Sequence, residues 1–224
     1  MKSKYDWMRY NRQRNSQAIK IFKYNLKNQV NFFEKGLYNH VRDLYAFSII
    51  LASKTYLKKK VRILDYGGNL ISNSNLFNKI GKIYTKIDIY NPFSKKKNLS
   101  FQRTSIRITK KFNNIKNLDL TYFGSVLQYF DELSEVKGNL IFLKSKYVLI
   151  THTPISLNSK TFKLKQKNAK NLYQKIHSLD NISNILLKKK FTLVFKSINN
   201  FKYSGISKRP SSNTYLLNLL YKKK

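Results

Sequence analysis

Two acidic residues and a pair of glycines form the first candidate site in this chain. The largely apolar run Val61–Leu64 leads into Asp65 and Tyr66, and Gly67 and Gly68 come next. A glycine has no Cβ, so the backbone at this pair can turn sharply and approach a ligand closely. Asp88 stands 23 residues after Asp65, near the end of another apolar run. Nucleotide-binding α/β units have this arrangement, in which the second acid accepts hydrogen bonds from ribose hydroxyls. The alternative for the first stretch is an ordinary buried strand followed by a Gly-Gly turn. The alternative for Asp88 is an aspartate in a surface turn.

A second group of residues is suited to proton transfer and to positioning a substrate. His152 follows the apolar run YVLI and precedes Pro154, which cannot continue a central strand. We therefore expect this strand to end near Ile150–Thr151 and His152 to face the crevice at the carboxyl ends of the strands. A neutral imidazole can take a proton from a hydroxyl group. The alternative for His152 is a loop or packing role. Gln128 and Tyr129, just past the strand predicted at 119–124, can orient the substrate.

Composition excludes some kinds of site and leaves the origin of the charge open. At 224 residues the chain is long enough for a full α/β domain with its own core. Cysteine is absent, which excludes disulfides and thiolate metal sites, and the three histidines have no metal-ligand spacing. The formal charge of +35 should attract polyanions, either nucleic acid or an anionic membrane face. Codon bias can explain the lysines but not the scarcity of acids.

Neither a membrane span nor a secretory signal is predicted. The most apolar stretch, Leu44–Leu57, is too short to span a bilayer and is flanked by charge, so it predicts a buried helix. The start of the chain is basic but lacks the apolar core of a signal peptide. We therefore expect a cytoplasmic protein, whose charge also allows a peripheral position at the inner membrane face.

The elements that must position these residues alternate between helices and strands. Periodicity predicts helices at residues 16–30, 38–56, 70–80, near 131 and at 181–190, and strands at 61–66, 82–90, 98–104, 119–124, 146–151, 191–197 and 214–221. The polar, lysine-rich segment after Ser156 predicts a loop over the cleft. The expected organisation is an N-terminal helical segment, residues 1–60, packed on an α/β domain, residues 61–224.

Three of these stretches together resemble class I S-adenosylmethionine-dependent methyltransferases. LDYGG at 64–68 is similar to their first motif, in which an acid opens a glycine-rich loop. With GSVLQY at 124–129 and KYVLITHTPIS at 146–156, it is similar to methyltransferases encoded among bacterial surface-polysaccharide genes. The resemblance covers roughly Leu64 to Ile155, and GSVLQY is its most specific part. It implies a Rossmann-like seven-stranded sheet in an α/β/α sandwich, closed by an antiparallel strand.

The resemblance also implies an enzyme, a cofactor and roles for the candidate residues. The cofactor is S-adenosylmethionine, and no metal is implied. Its expected contacts are Asp65, Gly67, Gly68, Asp88, Gly124 and Ser125. The residues expected to act on the acceptor, a sugar or another surface-glycan precursor, are His152, Gln128 and Tyr129. Gly124 and His152 stand where that group has a serine and an arginine.

Three hypotheses about function stay open at this point. The first is methyl transfer to a sugar or glycan precursor, which rests on the resemblance. The second is an RNA methyltransferase, which rests on the charge, although no interleaved Arg-aromatic motif is present. The third is a binding protein of the same fold without turnover. It is suggested by the incomplete glycine loop and by Ser105 and Arg107, which follow the predicted third strand where many methyltransferases have an adenine-binding acid.

Overall fold

Strands dominate the part of the chain that the computed structural model describes, residues 37–55, 60–68, 80, 83–91, 97–101, 103–110, 117–130, 133, 144–158, 160–165, 173–199 and 214–224. In chain order the elements are α1 (Leu37–Thr55), β1 (Lys60–Tyr66), β2 (Tyr84–Tyr90), β3 (Lys97–Phe101), β4 (Thr104–Thr109), β5 (Leu120–Gly124), β6 (Tyr147–Ser156), β7 (Phe162–Lys165), β8 (Tyr173–Ser178), α2 (Leu179–Leu187), β9 (Phe191–Asn199) and β10 (Thr214–Lys223). A short 3-10 helix, Leu127–Tyr129, follows β5.

All ten strands formed by the described residues belong to one mixed sheet. Its parallel part has the order β4-β2-β1-β5-β6. β10 runs antiparallel to β6, and β9 runs antiparallel to β10. β3 forms an antiparallel edge beside β4, the last residues of β6 pair with β8, and β7 pairs with β8. The carboxyl ends of the parallel strands therefore meet at one edge, which is where open α/β sheets bind ligands.

α1 covers one face of this sheet with an apolar stripe. Tyr45, Ile49 and Ala52 recur at helical spacing and are buried against strand residues such as Ile63. Burying each large apolar side chain contributes about 1.5–3 kcal/mol. The Thr55 and Tyr147 hydroxyls are 3.0 Å apart, so the end of α1 lies at the amino end of β6. The predicted helix at 38–56 is therefore confirmed.

α2 covers the opposite face and completes an α/β/α arrangement. Ile182 and Leu186 are buried in a second apolar cluster with Val148. The helix begins where it does because the Ser178 hydroxyl accepts a hydrogen bond from the backbone N–H of Asn181, at 3.1 Å. No helix within the described ranges is long and apolar enough to cross a membrane.

Most of the predicted central strands are confirmed, with small shifts in their bounds. β1, β5, β9 and β10 occupy the predicted positions, and β10 has the expected antiparallel direction. β2 ends at Tyr90, as predicted, but begins at Tyr84 instead of Lys82. The predicted helix at 16–30, the helix near 131 and the crossover helix at 70–80 lie outside the described residues, apart from single helical positions at Leu133 and Ile80. The division at residue 60 stays a prediction.

The prediction of a third strand at 98–104 is wrong, because this region contains two strands. β3 and β4 form an antiparallel pair, and only β4 continues the parallel sheet beside β2. In β4, Ile106 and Ile108 alternate with polar residues and are buried. β3 also alternates, but its Leu99 is only half-buried between the exposed Asn98 and Ser100, which suits the edge of the sheet better than the interior.

Two predictions about the end of the fifth parallel strand are also wrong. β6 does not end at Ile150–Thr151 but continues to Ser156. On one side, β6 pairs with β5 up to Thr151 and then with β8 from Ile155 onward. Pro154 lies between these two pairings, so its missing N–H interrupts no hydrogen-bond ladder on that side of β6. The segment predicted as a loop contains β7, and β8 follows it.

Candidate functional site

The Gly67–Gly68 turn lies at the carboxyl edge, between the ends of β1 and β2. The N–H of Gly67 donates to the carbonyl of Tyr90 at 2.8 Å, which ties the turn to the last residue of β2. The Asn91 side-chain amide donates to the carbonyl of Gly68 at 3.4 Å. The loop that sequence analysis singled out is thus held at the crevice where an α/β sheet binds ligands.

The packing of this turn explains why both positions are glycine. Gly67 has φ +75°, and a Cβ there would lie 2.6 Å from Cγ2 of Val126. A Cβ on Gly68 would lie 2.1 Å from Oδ1 of Asp65, whose carboxyl group is buried below the turn. Neither position has room for a side chain. The backbone of the turn can therefore be approached closely by a ligand from the crevice.

Asp65 belongs to a buried polar cluster beneath α1. The rings of Tyr45 and Tyr122 stack with centroids 4.1 Å apart. Burial, followed by the charges of Asp65 and Tyr122, raises the pKa of Tyr45 well above its ordinary value. The hydroxyl of Thr151 donates to that of Tyr122 at 3.0 Å. Among the described residues, the buried hydroxyl of Tyr45 has no hydrogen-bond partner.

Asp88 lies on the other face of the sheet from Asp65. In the register of β1 and β2 it stands opposite Leu64, whereas Asp65 stands opposite Ile89, and side chains alternate along a strand. Its carboxylate accepts a hydrogen bond from Nε of Arg107 in β4, at 2.5 Å. The Asp88 side chain is 4% exposed. The acid expected to bind ribose therefore has a guanidinium partner already.

The chain turns sharply where β5 ends, at the predicted residues Gly124 and Ser125. Ser125 has φ +53°, and its N–H donates to the carbonyl of Thr151 at 2.9 Å. The amide of Gln128 donates to the carbonyl and to the hydroxyl of Ser125, both at 3.0 Å. Gln128 is buried and braces this turn, while Tyr129 ends the 3-10 helix and is half-buried.

His152 occupies a bulge in β6 instead of the end of the strand. Its φ is +49°, and the ladder with β10 shifts register between Leu217 and Leu219. The backbone N–H of His152 donates to the side-chain oxygen of Asn218 at 2.9 Å, which fixes the bulge. Burial lowers the pKa of the half-buried imidazole, so the ring is neutral near pH 7. Bulges commonly redirect one side chain next to a functional site.

The register relates His152 to the glycine turn. Asp65 pairs with Tyr122, and Tyr122 pairs with Leu149, so Gly67 and Thr151 lie at the same level of the sheet. β1 and β6 are separated by β5 alone, or about 10 Å. His152 and the turn thus share the carboxyl edge. No group of three or more His, Cys, Asp or Glu side chains occurs in the described ranges that could hold a metal ion.

Several residues of this edge were not identified from the sequence. Tyr45, Asn91, Arg107 and Tyr122 have no motif of their own. Their proximity depends on the strand order β4-β2-β1-β5-β6 and on the docking of α1. The buried-helix prediction for 44–57 was the one signal that pointed toward Tyr45, since it placed that residue against the sheet.

Comparisons with known proteins agree with this architecture. No protein-family model and no curated protein matches the chain. The N-terminal domain of EvdMO1, solved in the presence of SAH and D-fucose, is similar over 96% of this chain and 97% of that domain, with 11% identity and a TM-score of 0.53. Its structure with SAH bound gives the same coverage and TM-score at 10% identity. The fold is that of the Rossmann-like methyltransferases.

A third solved structure is magnesium protoporphyrin IX methyltransferase from Synechocystis with bound SAH. It is 12% identical over 94% of this chain and 96% of that chain, with a TM-score of 0.49. The strand order and the antiparallel direction of β10 beside β6 confirm the predicted α/β sheet with an antiparallel closing strand. β3, β7 and β8 are additions to the seven strands that the resemblance implied.

Proposed function

We propose that this chain is a methyltransferase that binds S-adenosylmethionine across the Gly67–Gly68 turn. The observation that carries the proposal is the packing of this turn at the carboxyl edge of a methyltransferase fold. The Gly68 position is filled from below by the Asp65 carboxyl group and the Gly67 position from the side by Val126. Only backbone faces the crevice at these two positions, as close contact with a cofactor requires.

The buried groups below the turn suit the charge of this cofactor. When bound, S-adenosylmethionine supplies an electrophilic methyl group on a positively charged sulfur. On that side lie the buried carboxyl group of Asp65, which is an anion when ionised, and the hydroxyl group of Tyr45. Opposite charges at short range inside a protein attract strongly. We infer that Asp65 and Tyr45 face the charged end of the cofactor, while the backbone of Gly124 and Ser125 lines the next part of the crevice.

The role proposed for Asp88 is to accept a hydrogen bond from the ribose. Arg107 occupies Oδ1 of this carboxylate, and a carboxylate can accept further hydrogen bonds at its other oxygen. Arg107 would then hold Asp88 in one orientation. Asn91, one residue past β2 and in contact with the glycine turn, is a second polar group at the same end of the strand.

We propose that the acceptor lies toward His152. A neutral imidazole can remove the proton of an acceptor hydroxyl, and burial keeps His152 neutral. The contribution of the fold is to hold the acceptor oxygen against the methyl group with water excluded. Gln128 would act indirectly by fixing the Ser125 turn, and Tyr129 would contact the acceptor. A sugar or glycan precursor is the proposed acceptor, which the D-fucose in the EvdMO1 structure supports as a class of ligand for this fold.

The ion pair of Asp88 and Arg107 also favours a second candidate, a binding protein without turnover. If Asp88 serves only to pair with Arg107, no carboxylate accepts the hydrogen bond from the ribose, and the cofactor binds weakly. The two candidates differ in whether S-adenosylhomocysteine is formed.

The proposal is tested with S-adenosylmethionine labelled in its methyl group. The purified protein is incubated with a panel of monosaccharides and nucleotide sugars, with RNA as a separate arm. We expect label in a saccharide product, accompanied by S-adenosylhomocysteine, and a much lower rate in His152→Ala. Cofactor binding without any product in the whole panel would favour the second candidate, and label in RNA would contradict the saccharide proposal.

A further inference from the structure

The amino edge of the sheet, opposite the candidate site, carries a dense group of lysines. We call it the lysine edge and define it as Lys144, Lys146, Lys188, Lys189, Lys190, Lys222, Lys223 and Lys224. The first pair directly precedes β6, the next three connect α2 to β9, and the last three end the chain after β10 has run antiparallel to β6. All three segments therefore meet at the starting ends of β6 and β9.

Backbone hydrogen bonds hold these segments side by side. The N–H of Lys223 donates to the carbonyl of Lys146, and the N–H of Lys224 donates to the carbonyl of Lys190, both at 2.8 Å. Neighbouring strands are about 4.8 Å apart, so the whole group spans only a few strand widths. The concentration of charge is a product of topology, because the three segments are far apart in the sequence.

Few negative charges offset this group within the described residues. Asp119 lies near it, but its side chain is 1% exposed and stands 3.6 Å from Nζ of Lys146. Asp65 and Asp88 lie in the carboxyl halves of β1 and β2. Asp180 is in the first turn of α2, and α2 reaches the lysine edge with its other end. The remaining acid of the described residues, Asp43, is in the first half of α1, so the lysine edge is strongly positive.

Exposed aliphatic side chains lie directly beside these lysines. Leu187 immediately precedes Lys188 and is 54% exposed. Leu193 and Val194, in the first half of β9, are 36% and 49% exposed. Val194 is the extra residue at the shift in register between β9 and β10. Lysines next to exposed aliphatic groups are the combination that binds an anionic bilayer, where the cations meet head groups and the apolar groups reach the acyl boundary.

We propose that the lysine edge docks the protein on an anionic lipid surface. Sites for single-stranded nucleic acid use aromatic side chains and arginine to stack on bases. The lysine edge contains neither, and its exposed apolar neighbours are aliphatic. The exposed pair of Tyr84 and Arg103 lies at the same amino edge of the sheet, but at the starts of β2 and β4, where β1 and β5 separate it from β6. Docking by the amino edge would leave the carboxyl edge, with the candidate site, open to the aqueous side. This inference does not depend on the proposed methyl transfer.

The test is co-sedimentation of the full chain with vesicles of phosphatidylcholine alone and of phosphatidylcholine with about one third phosphatidylglycerol. The test variant, Lys188→Gln/Lys189→Gln/Lys224→Gln, removes three exposed lysines of the edge. The matched control, Lys160→Gln/Lys163→Gln/Lys165→Gln, removes three exposed lysines in and beside β7. The two variants have equal net charge, so they separate a local surface from a general effect. Circular dichroism checks that both fold.

We expect binding to the anionic vesicles only, weakened roughly tenfold or more in the test variant and less than about twofold in the control. At raised salt, the attraction between lysines and lipid head groups is screened, and the apolar contacts contribute most of the remaining binding. Leu187→Gln should weaken this remaining binding. Equal loss in both triple variants, or equal binding to neutral vesicles, would overturn the proposal. A single-stranded poly-uridylate probe gives a further control. If the test variant loses more affinity for this RNA than for anionic vesicles, the surface is a nucleic-acid site and the proposal is overturned.

Discussion

Replacing Gly67 with alanine should destabilise the protein for two separable reasons. The backbone at Gly67 has φ +75°, and an L-residue with a side chain loses about 1–2 kcal/mol in that region. The added Cβ would also lie 2.6 Å from Cγ2 of Val126, and relieving such overpacking costs about 1–3 kcal/mol. The sum is about 2–5 kcal/mol. For a chain of this size that lowers the Tm by roughly 5–15 °C.

Thermal unfolding followed by circular dichroism measures this loss, and a double-mutant cycle separates its two parts. Val126→Ala removes Cγ2, the atom that the new Cβ would meet at 2.6 Å, but keeps the backbone strain. If the overlap is real, the two substitutions together should cost at least about 1 kcal/mol less than the sum of the single effects. An unchanged Tm for Gly67→Ala, or strictly additive effects, would refute the described packing of the turn.

Four further substitutions test the site. Tyr45→Phe removes a buried hydroxyl without a partner among the described residues, so it should leave the Tm unchanged or slightly higher while weakening binding of S-adenosylmethionine in calorimetry; equal cofactor affinity would exclude Tyr45 from the cofactor site. Asp88→Ala should weaken cofactor binding by about 1–3 kcal/mol. Arg107→Gln should weaken it less, because only Asp88 is proposed to contact the ribose. A larger loss of affinity in Arg107→Gln than in Asp88→Ala would make the arginine the binding residue. His152→Ala should lower methyl transfer at nearly constant cofactor affinity. Burial lowers the pKa of His152, so the unfolded chain takes up this proton first as the pH falls below about 6.5, and the folded state loses stability. Without this histidine, the His152→Ala variant should lose less stability on acidification than the original protein. Measuring Tm against pH for both proteins tests this. An identical pH dependence in both proteins would contradict the burial of this ring.

The central sheet could be predicted from the sequence because its strands carry local signals. VRILDY and KIDIY are short apolar runs ended by turn residues or polar residues, and their parallel pairing follows from the α/β pattern. The division between β3 and β4 had no such signal, since no glycine or proline marks the reversal near Arg103. Pro154 suggested that the strand ends, but whether a proline interrupts a sheet depends on neighbouring strands that the local sequence does not specify.

The sharp turn at the candidate site could be predicted, because the backbone of its own residues decides its position. Gly67 and Gly68 could be identified because their lack of a Cβ is itself the local requirement of the turn. The partnership of Asp88 with Arg107 depends on which strand lies beside β2, and the bulge at His152 depends on Asn218, 66 residues later. Such long-range pairings leave no trace in the local pattern.

Calorimetric titration of the purified chain with S-adenosylmethionine tests the central proposal most directly. We predict saturable binding at one site per chain and, at a ligand concentration about a hundredfold above Kd, a gain of about 2.7 kcal/mol in the free energy of unfolding. S-Adenosylhomocysteine should compete for the same site. A folded protein that gives no binding heat and no increase in Tm at millimolar S-adenosylmethionine would contradict the proposal that the Gly67–Gly68 turn holds this cofactor.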